Sequence, residues 1–368
     1  MREQGLDKTL IDCLRTPFEN EPFAPYDLSV LEQGHFIIEI GQLTYRLLHH
    51  MSKGYRRNEF ALAPNIDFFV QQSCETGDDN DLFAEATLTG LVADNKVLLE
   101  EKIGVPQIKL FVDLLLEQDK DARYVKLLAA TCACGSEPIS SNQETLGALI
   151  LDDPATRETL CIKGELHGGV PMITFVDYNN GVAAPLQQFL DDDDQEQIEY
   201  YIAQLDLFSE ICYERNYIGI FAVEKLYDYE TILAGMQMKS FPYELRSAFT
   251  KLLLTVHIDR GPQTIVAVPN LTRTNSDTTP TSVSADGRDF KDLKAFVIEY
   301  LDEMGGQARA WDHEKNQMTL DMLKIVHFLC AAGFYSSVAD VQDLLNPLIN
   351  NLDGTNDLTF VEDDPRAM

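Results

Sequence analysis

The sequence predicts an all-α protein: an armadillo-like α-solenoid of stacked helix pairs, with room for one short β-hairpin in a central linker. Three observations predict it. Apolar residues recur at helical spacing in about a dozen segments of one to four turns, joined by short polar turns. Neither strand–helix alternation nor a strict numerical repeat interrupts them. The chain has 368 residues, 45% of them apolar. Single cores stop growing at roughly 250–300 residues, so this length calls for two units or an elongated array.

The elements follow in order. Leu6, Leu10, Ile11 and Leu14 form a first stripe, which Pro17 ends. Phe36, Ile37, Ile40, Leu43, Leu47 and Leu48 form a second, running to about Met51. The acidic turn Asp78–Asp81 suits the N-terminus of a helix over Leu82–Leu91. Asn95–Ile103 is short and stops before Pro106. Pro106–Leu116 and Arg123–Cys132 read as an αα-hairpin turning at Glu117–Asp121. Ser141 with Glu144 has the form of a capping box before the apolar run Leu146–Leu151.

The character then changes. Gly164–Pro185 holds Gly168-Gly169, Asn179-Asn180-Gly181 and two prolines around Met172–Val176, the place for the hairpin. The like-charge run Asp191–Asp194 reads as a solvated link. Helices resume at Glu196–Arg215, Ile218–Leu226, Tyr229–Met236 and Tyr243–His257, the last opened by Pro242 and closed by Pro262. Residues 272–288 read as a loop, followed by helices at Phe290–Met304, Met318–Ala332 and Val338–Asn350. The predicted division is a helical domain over 1–165, a Gly/Asp-rich linker over 166–195, a second helical block over 196–352 and an acidic tail over 353–368.

Charge and motifs narrow the function. Sixty acidic residues against 29 basic ones give a formal charge of −31. Nucleic acids and anionic membranes are bound through basic footprints, so neither is expected as a general partner. No apolar run approaches the roughly 20 residues of a membrane span, and the N-terminus lacks a signal-peptide core. A soluble, unsecreted, cytoplasmic chain is expected. The seven cysteines are scattered, and Cys13, Cys132, Cys161, Cys212 and Cys330 sit in apolar stretches, as buried thiols of a reducing compartment would. Cys132-Ala133-Cys134 lacks a partner pair at zinc spacing and reads as core packing. His257 and His327 lie in apolar helices and read as core or boundary histidines. His313-Glu314 is half of a zincin motif, but position 317 is Gln. Phosphate-binding loops, dinucleotide fingerprints and nucleophile elbows are absent, so no enzyme, cofactor or metal is expected.

One cluster departs from this pattern. Arg46, His49, His50, Lys53, Arg56 and Arg57 fall together with no acid among them. On a helix Arg46 shares a face with His50, and His49 with Lys53, at i, i+4. Charge-assisted contacts of this kind hold phosphate groups. The alternative is that they pair with neighbouring acidic surface.

The chain resembles the inositol trisphosphate receptor and ryanodine receptor family. The residues that carry the resemblance are Met1-Arg2-Glu3-Gln4, Thr44–His50, Gly54–Asn58, Asn95–Glu100, Phe111–Leu114 and Arg123–Cys132. A later block follows in the same order: Glu199–Tyr201, Leu205–Phe208, Pro242–Arg246, His257–Gln263, Phe296–Leu301 and Gly333–Tyr335. This block is closer to inositol trisphosphate receptors. The resemblance implies the helical homology domain shared by the two receptor types, continued by a cytoplasmic solenoid. It further implies a non-catalytic regulatory or ligand-core segment of an intracellular calcium-release channel. Such a segment would relay conformational change at the cytoplasmic face of the endoplasmic reticulum. Its partners would be the channel's other domains or subunits. A second reading is a stand-alone interaction scaffold that has lost ligand binding and the pore, and a third is anion binding alone.

In the family a helix presents basic residues at i, i+4 and i+7 to the ligand phosphates. The matching positions are Gln42, Arg46 and His49, of which only Arg46 is permanently charged. The family's further cations, at the end of the helix matching Phe111–Leu116, are here Leu116-Glu117-Gln118-Asp119, with Lys120 nearest. The β-trefoil half of the ligand core would lie before Met1. The candidate inositol-phosphate residues are therefore Arg46, His49, Lys53, Arg56 and Arg57, and only weak binding of inositol trisphosphate is expected.

Overall fold

The computed structural model describes residues 5–15, 34–75, 82–93, 95–117, 120–192, 195–261, 290–305, 312–335 and 337–352. The readings made for Met1–Gln4, Pro17, Asp78–Asp81, the middle of the Glu117–Asp121 turn, Asp193-Asp194, the 272–288 loop and the 353–368 tail lie outside them. The chain is mostly α-helical with two small β-elements, in agreement with the predicted class of packed helix pairs.

Contacts divide it into two units assembled from alternating stretches of sequence. The first takes Met1–Lys163, Thr174–Ala184 and Asp192–Val223. Its helices are α1 (Leu6–Arg15), α2 (Gly34–Ser52), α3 (Arg56–Leu62), α4 (Ile66–Glu75), α5 (Ala84–Val92), α6 (Lys96–Lys102), α7 (Val105–Glu117) and α8 (Ala122–Ala130). Strands β1 (Ala133–Cys134) and β2 (Glu137–Pro138) pair antiparallel around Gly135. After them come α9 (Ser140–Leu146), running into a π-helical turn, and α10 (Pro154–Leu160). The later stretch adds α12 (Gln195–Cys212) and α13 (Tyr217–Val223).

Helix α12 packs along α8, and its polar side chains fix it there. The Gln204 amide accepts from Ile162 N–H at 2.7 Å and donates to Ile162 C=O at 2.9 Å. The Tyr200 hydroxyl donates to Leu160 C=O at 2.8 Å. Gln143 donates to the carbonyls of Glu210 and Tyr213. All three side chains are buried, and so are Leu160 and Ile162, whose backbone groups Tyr200 and Gln204 satisfy.

The second unit takes Gly164–Ile173, Pro185–Asp191 and Glu224–Met368. Strands β3 (Lys163–His167), β4 (Val170–Thr174) and β5 (Ala184–Pro185) form a sheet in that order. The β3–β4 turn is Gly168-Gly169, with φ of +59° and +85°, the conformation a two-residue hairpin demands. The unit's helices are α11 (Leu186–Asp191), α14 (Tyr229–Gln237), α15 (Tyr243–Leu253, continued by a π-helical turn), α16 (Lys291–Met304), α17 (His313–Ala331) and α18 (Val338–Leu352). Buried Arg246 of α15 donates to Met236 C=O at 3.0 Å and lies over the rings of Tyr243 and Tyr300. Buried Asp321 of α17 accepts from Ser247, Gln317 and Lys324.

Three sequence readings are corrected. The capping box does not form: α9 already starts at Ser140, and no side chain caps it. Its polar residues are used inward instead, Asn142 donating to Thr131 C=O and Gln143 to α12. Helix α10 has no counterpart in the predicted elements, although Asp153 caps it by accepting from Thr156 N–H and Pro154 opens it. Cys13 and Cys330 are exposed, whereas Cys132, Cys161 and Cys212 are buried. Of the α2 stripe, Phe36, Ile40, Leu43 and Leu47 are exposed and Leu48 is buried. The core face of α2 is Gly41, Thr44, Tyr45, Leu48 and Ser52.

Candidate functional site

The cationic cluster spans the end of α2, the turn at Gly54 and the start of α3. The buried face of α2 sets its direction. The Tyr45 ring meets Phe69 edge-on at 5.7 Å, and its hydroxyl hydrogen-bonds Gln72. A Cβ on Gly41 would lie 2.8 Å from Leu82, so the glycine lets that side chain close against the helix. The helix ends where Gly54 takes φ +75°. Tyr55 N–H then donates to Ser52 C=O, and Asn58 Nδ2 to Met51 C=O, which ties α3 back onto α2.

Arg46 is exposed, and its guanidinium lies 5.4 Å from the centre of the Phe83 ring. Phe83 precedes α5 with φ +71°, a conformation that costs a bulky residue energy. Its ring is also edge-on to His49 at 6.4 Å. His49 does not project with Arg46. It is half-buried, hydrogen-bonds the Ala86 backbone and lies where Gly90 leaves room. A Cβ on Gly90 would come within 2.5 Å of the imidazole. Nδ1 of His49 is buried with no hydrogen-bond partner. Burial lowers the His49 pKa, with smaller contributions from Lys53 and His50, against the opposing Ala86 hydrogen bond.

The remaining cations diverge. His50 and Lys53 are exposed. Arg56, also exposed, reaches buried Glu59 at 3.7 Å, and Glu59 in turn accepts from Asn95 Nδ2 at 2.8 Å. Arg57 is exposed on α3. Lys120 pairs with Asp177 and lies over the Phe175 ring. The structure thus gathers Arg46 and His49 around one aromatic ring, sends Arg56 to a carboxylate and ties Lys120 down elsewhere in the same unit. Phe83 and Gly90 were missed from the sequence because nothing local marks either as a partner of α2.

Chemically, Arg46, Lys53 and Arg57 offer charge-assisted donors. Among the described residues, no group of three or more His, Cys, Asp or Glu is placed to hold a metal ion. No helix among them is long and apolar enough to cross a membrane.

Comparison with known proteins matches residues 1–162 to the RIH domain. An inositol 1,4,5-trisphosphate receptor of Caenorhabditis elegans, itr-1, is 30% identical over 233 residues, covering 60% of this chain and 8% of the relative. An inositol 1,4,5-trisphosphate receptor-like protein A of Dictyostelium discoideum is 27% identical over 261 residues, covering 69% of this chain and 7% of the relative. The chain therefore spans less than a tenth of the length of these relatives.

Proposed function

We propose that this chain, related to the inositol trisphosphate and ryanodine receptors through its RIH domain, is a non-catalytic helical segment of an intracellular calcium-release channel. One observation carries the reading: similarity to two inositol trisphosphate receptor relatives extends over stretches longer than the 162 residues of the RIH match. The segment lies on the cytoplasmic face of the endoplasmic reticulum, with the channel's other domains or subunits as partners. Its role is mechanical. Helix pairs held by buried polar contacts such as Gln204–Ile162 move as rigid bodies and relay a displacement between ligand module and gate. Such coupling needs contacts that differ between two states.

Inositol trisphosphate binding by this chain alone is weak. Of the three positions matching the family's phosphate-binding helix, Gln42 is neutral, and His49 is turned toward α5 with its pKa lowered. Lys120 is already paired. Each lost charge-assisted contact is worth about 1.5–3 kcal/mol, so two or three reduce affinity by about a hundredfold or more. Arg46, with Lys53, Arg56 and Arg57, remains the anion-facing surface. Calorimetry that gave sub-micromolar binding would overturn this part of the reading.

The channel assignment is tested in native tissue with an antibody against this chain. It is expected to detect a membrane-fractionating polypeptide many times larger than 41.5 kDa. A soluble band near that mass would instead favour the stand-alone scaffold.

A further inference from the structure

The outer side of α2 is apolar where a solvated helix face is normally polar. Phe36, Ile40, Leu43 and Leu47 lie at i, i+4, i+7 and i+11 and are 54, 54, 59 and 38% exposed. They form one straight stripe about 16 Å long at the helical rise. The opposite side of the same helix is locked into the core through Tyr45 and Leu48, so the stripe is presented on a fixed support.

Its flank is charged with the sign opposite to the chain. Between residues 34 and 58 the only carboxylate is Glu39, against Arg46, Lys53 and Arg57, with Arg56 turned to Glu59, in a protein of charge −31. Arg46, His50 and Lys53 stand beside the stripe at the C-terminal end of α2, all three exposed.

We propose that this face docks an amphipathic helix of a partner protein, one whose apolar stripe is edged by carboxylates. Two arguments select that occupant. A row of four side chains at helical spacing is the complement of another helix's ridge. The local cations also favour acids over bases at the rim. An anionic bilayer has the same two chemistries but is a plane, and it would confront the acidic surface beyond the patch. Screening confines fields to about 8 Å at physiological salt, so a helix about 10 Å across feels chiefly the local cations. This inference rests on α2 and the start of α3 and stands apart from the channel assignment.

The test uses the full chain and a labelled synthetic amphipathic helix. Its leucines are spaced i, i+4, i+7 and i+11, with glutamates on both flanks. The controls are the same peptide with lysine flanks, a scrambled glutamate peptide, and phosphatidylcholine vesicles with about a third phosphatidylserine. Anisotropy is expected to show saturable binding of the glutamate helix only. Leu43→Asp, at an exposed position, is expected to weaken that binding at least about tenfold while leaving the circular dichroism spectrum unchanged. Arg46→Glu with Lys53→Glu is expected to reverse the preference toward the lysine helix. Equal binding of the glutamate, lysine and scrambled peptides would overturn the proposal. So would insensitivity to both sets of substitutions, and so would binding of vesicles without binding of the peptide.

Discussion

At the scale of single residues, His49 and Gly90 depend on each other. The imidazole occupies the space that a Cβ at position 90 would need, 2.5 Å away. Gly90→Ala is therefore expected to destabilise the protein by about 1–3 kcal/mol in urea unfolding, as overpacking does. Adding His49→Ala should recover part of the loss, and a double mutant no more stable than Gly90→Ala would remove the steric explanation. The same histidine sets a pH dependence. Its folded pKa lies below the ordinary value of 6.5. Between the two values the unfolded chain binds the proton more readily, so stability rises with pH. The contribution is fully present above the unfolded value and is lost as pH falls from about 6.5 to the lowered folded value. His49→Gln should flatten the urea midpoint across that window, and an unchanged slope would assign the effect elsewhere.

At the scale of elements, α12 tests how helices are held. Gln204 makes two hydrogen bonds to the buried backbone of Ile162, one to its N–H and one to its C=O. Gln204→Leu leaves both backbone groups without that partner and is expected to cost about 2–5 kcal/mol in chemical denaturation. A cost below about 1 kcal/mol would mean that water or another group takes the place of Gln204 at Ile162. The elements also show what the sequence reveals and where it stops. Periodicity found α2, because a helical repeat is visible in any one strand of sequence. It does not say which side of α2 is buried, because that is decided by Phe69, Gln72 and Leu82, from other segments. Helix α10 is legible in Asp153-Pro154, a cap followed by a first-turn proline, but it buries Leu160 alone and so shows no apolar period. Ser141 imitated a cap because its spacing to Glu144 fits, but α9 begins one residue earlier. At the candidate site, the cations themselves were legible in the sequence. The inward turn of His49 was not, since it is dictated by an absent side chain some forty residues later.

At the scale of the whole molecule, charge opposes compaction. A formal charge of −31 on 368 residues repels itself, and the repulsion is greatest where screening is least. Raising sodium chloride from about 10 mM to about 150 mM shortens the screening length from about 30 Å to about 8 Å. The thermal midpoint is expected to rise, by about 1–2 °C for every kcal/mol of repulsion removed. Differential scanning fluorimetry would measure it. A midpoint that falls with salt would show that ion pairs such as Lys239 with Glu299 and Glu303 outweigh the repulsion.

The alternating assembly of the first unit also has a consequence in time. Helix α8 ends at Ala130, and α12, which covers it, is complete only at Cys212. A ribosome adding about 5–20 residues per second needs about 4–16 seconds to synthesise the intervening chain. For that interval the nascent protein carries Leu127 and Leu128, both fully buried once folded, without the helix that shelters them. Whatever attends the growing chain must hold that surface until the later segment emerges.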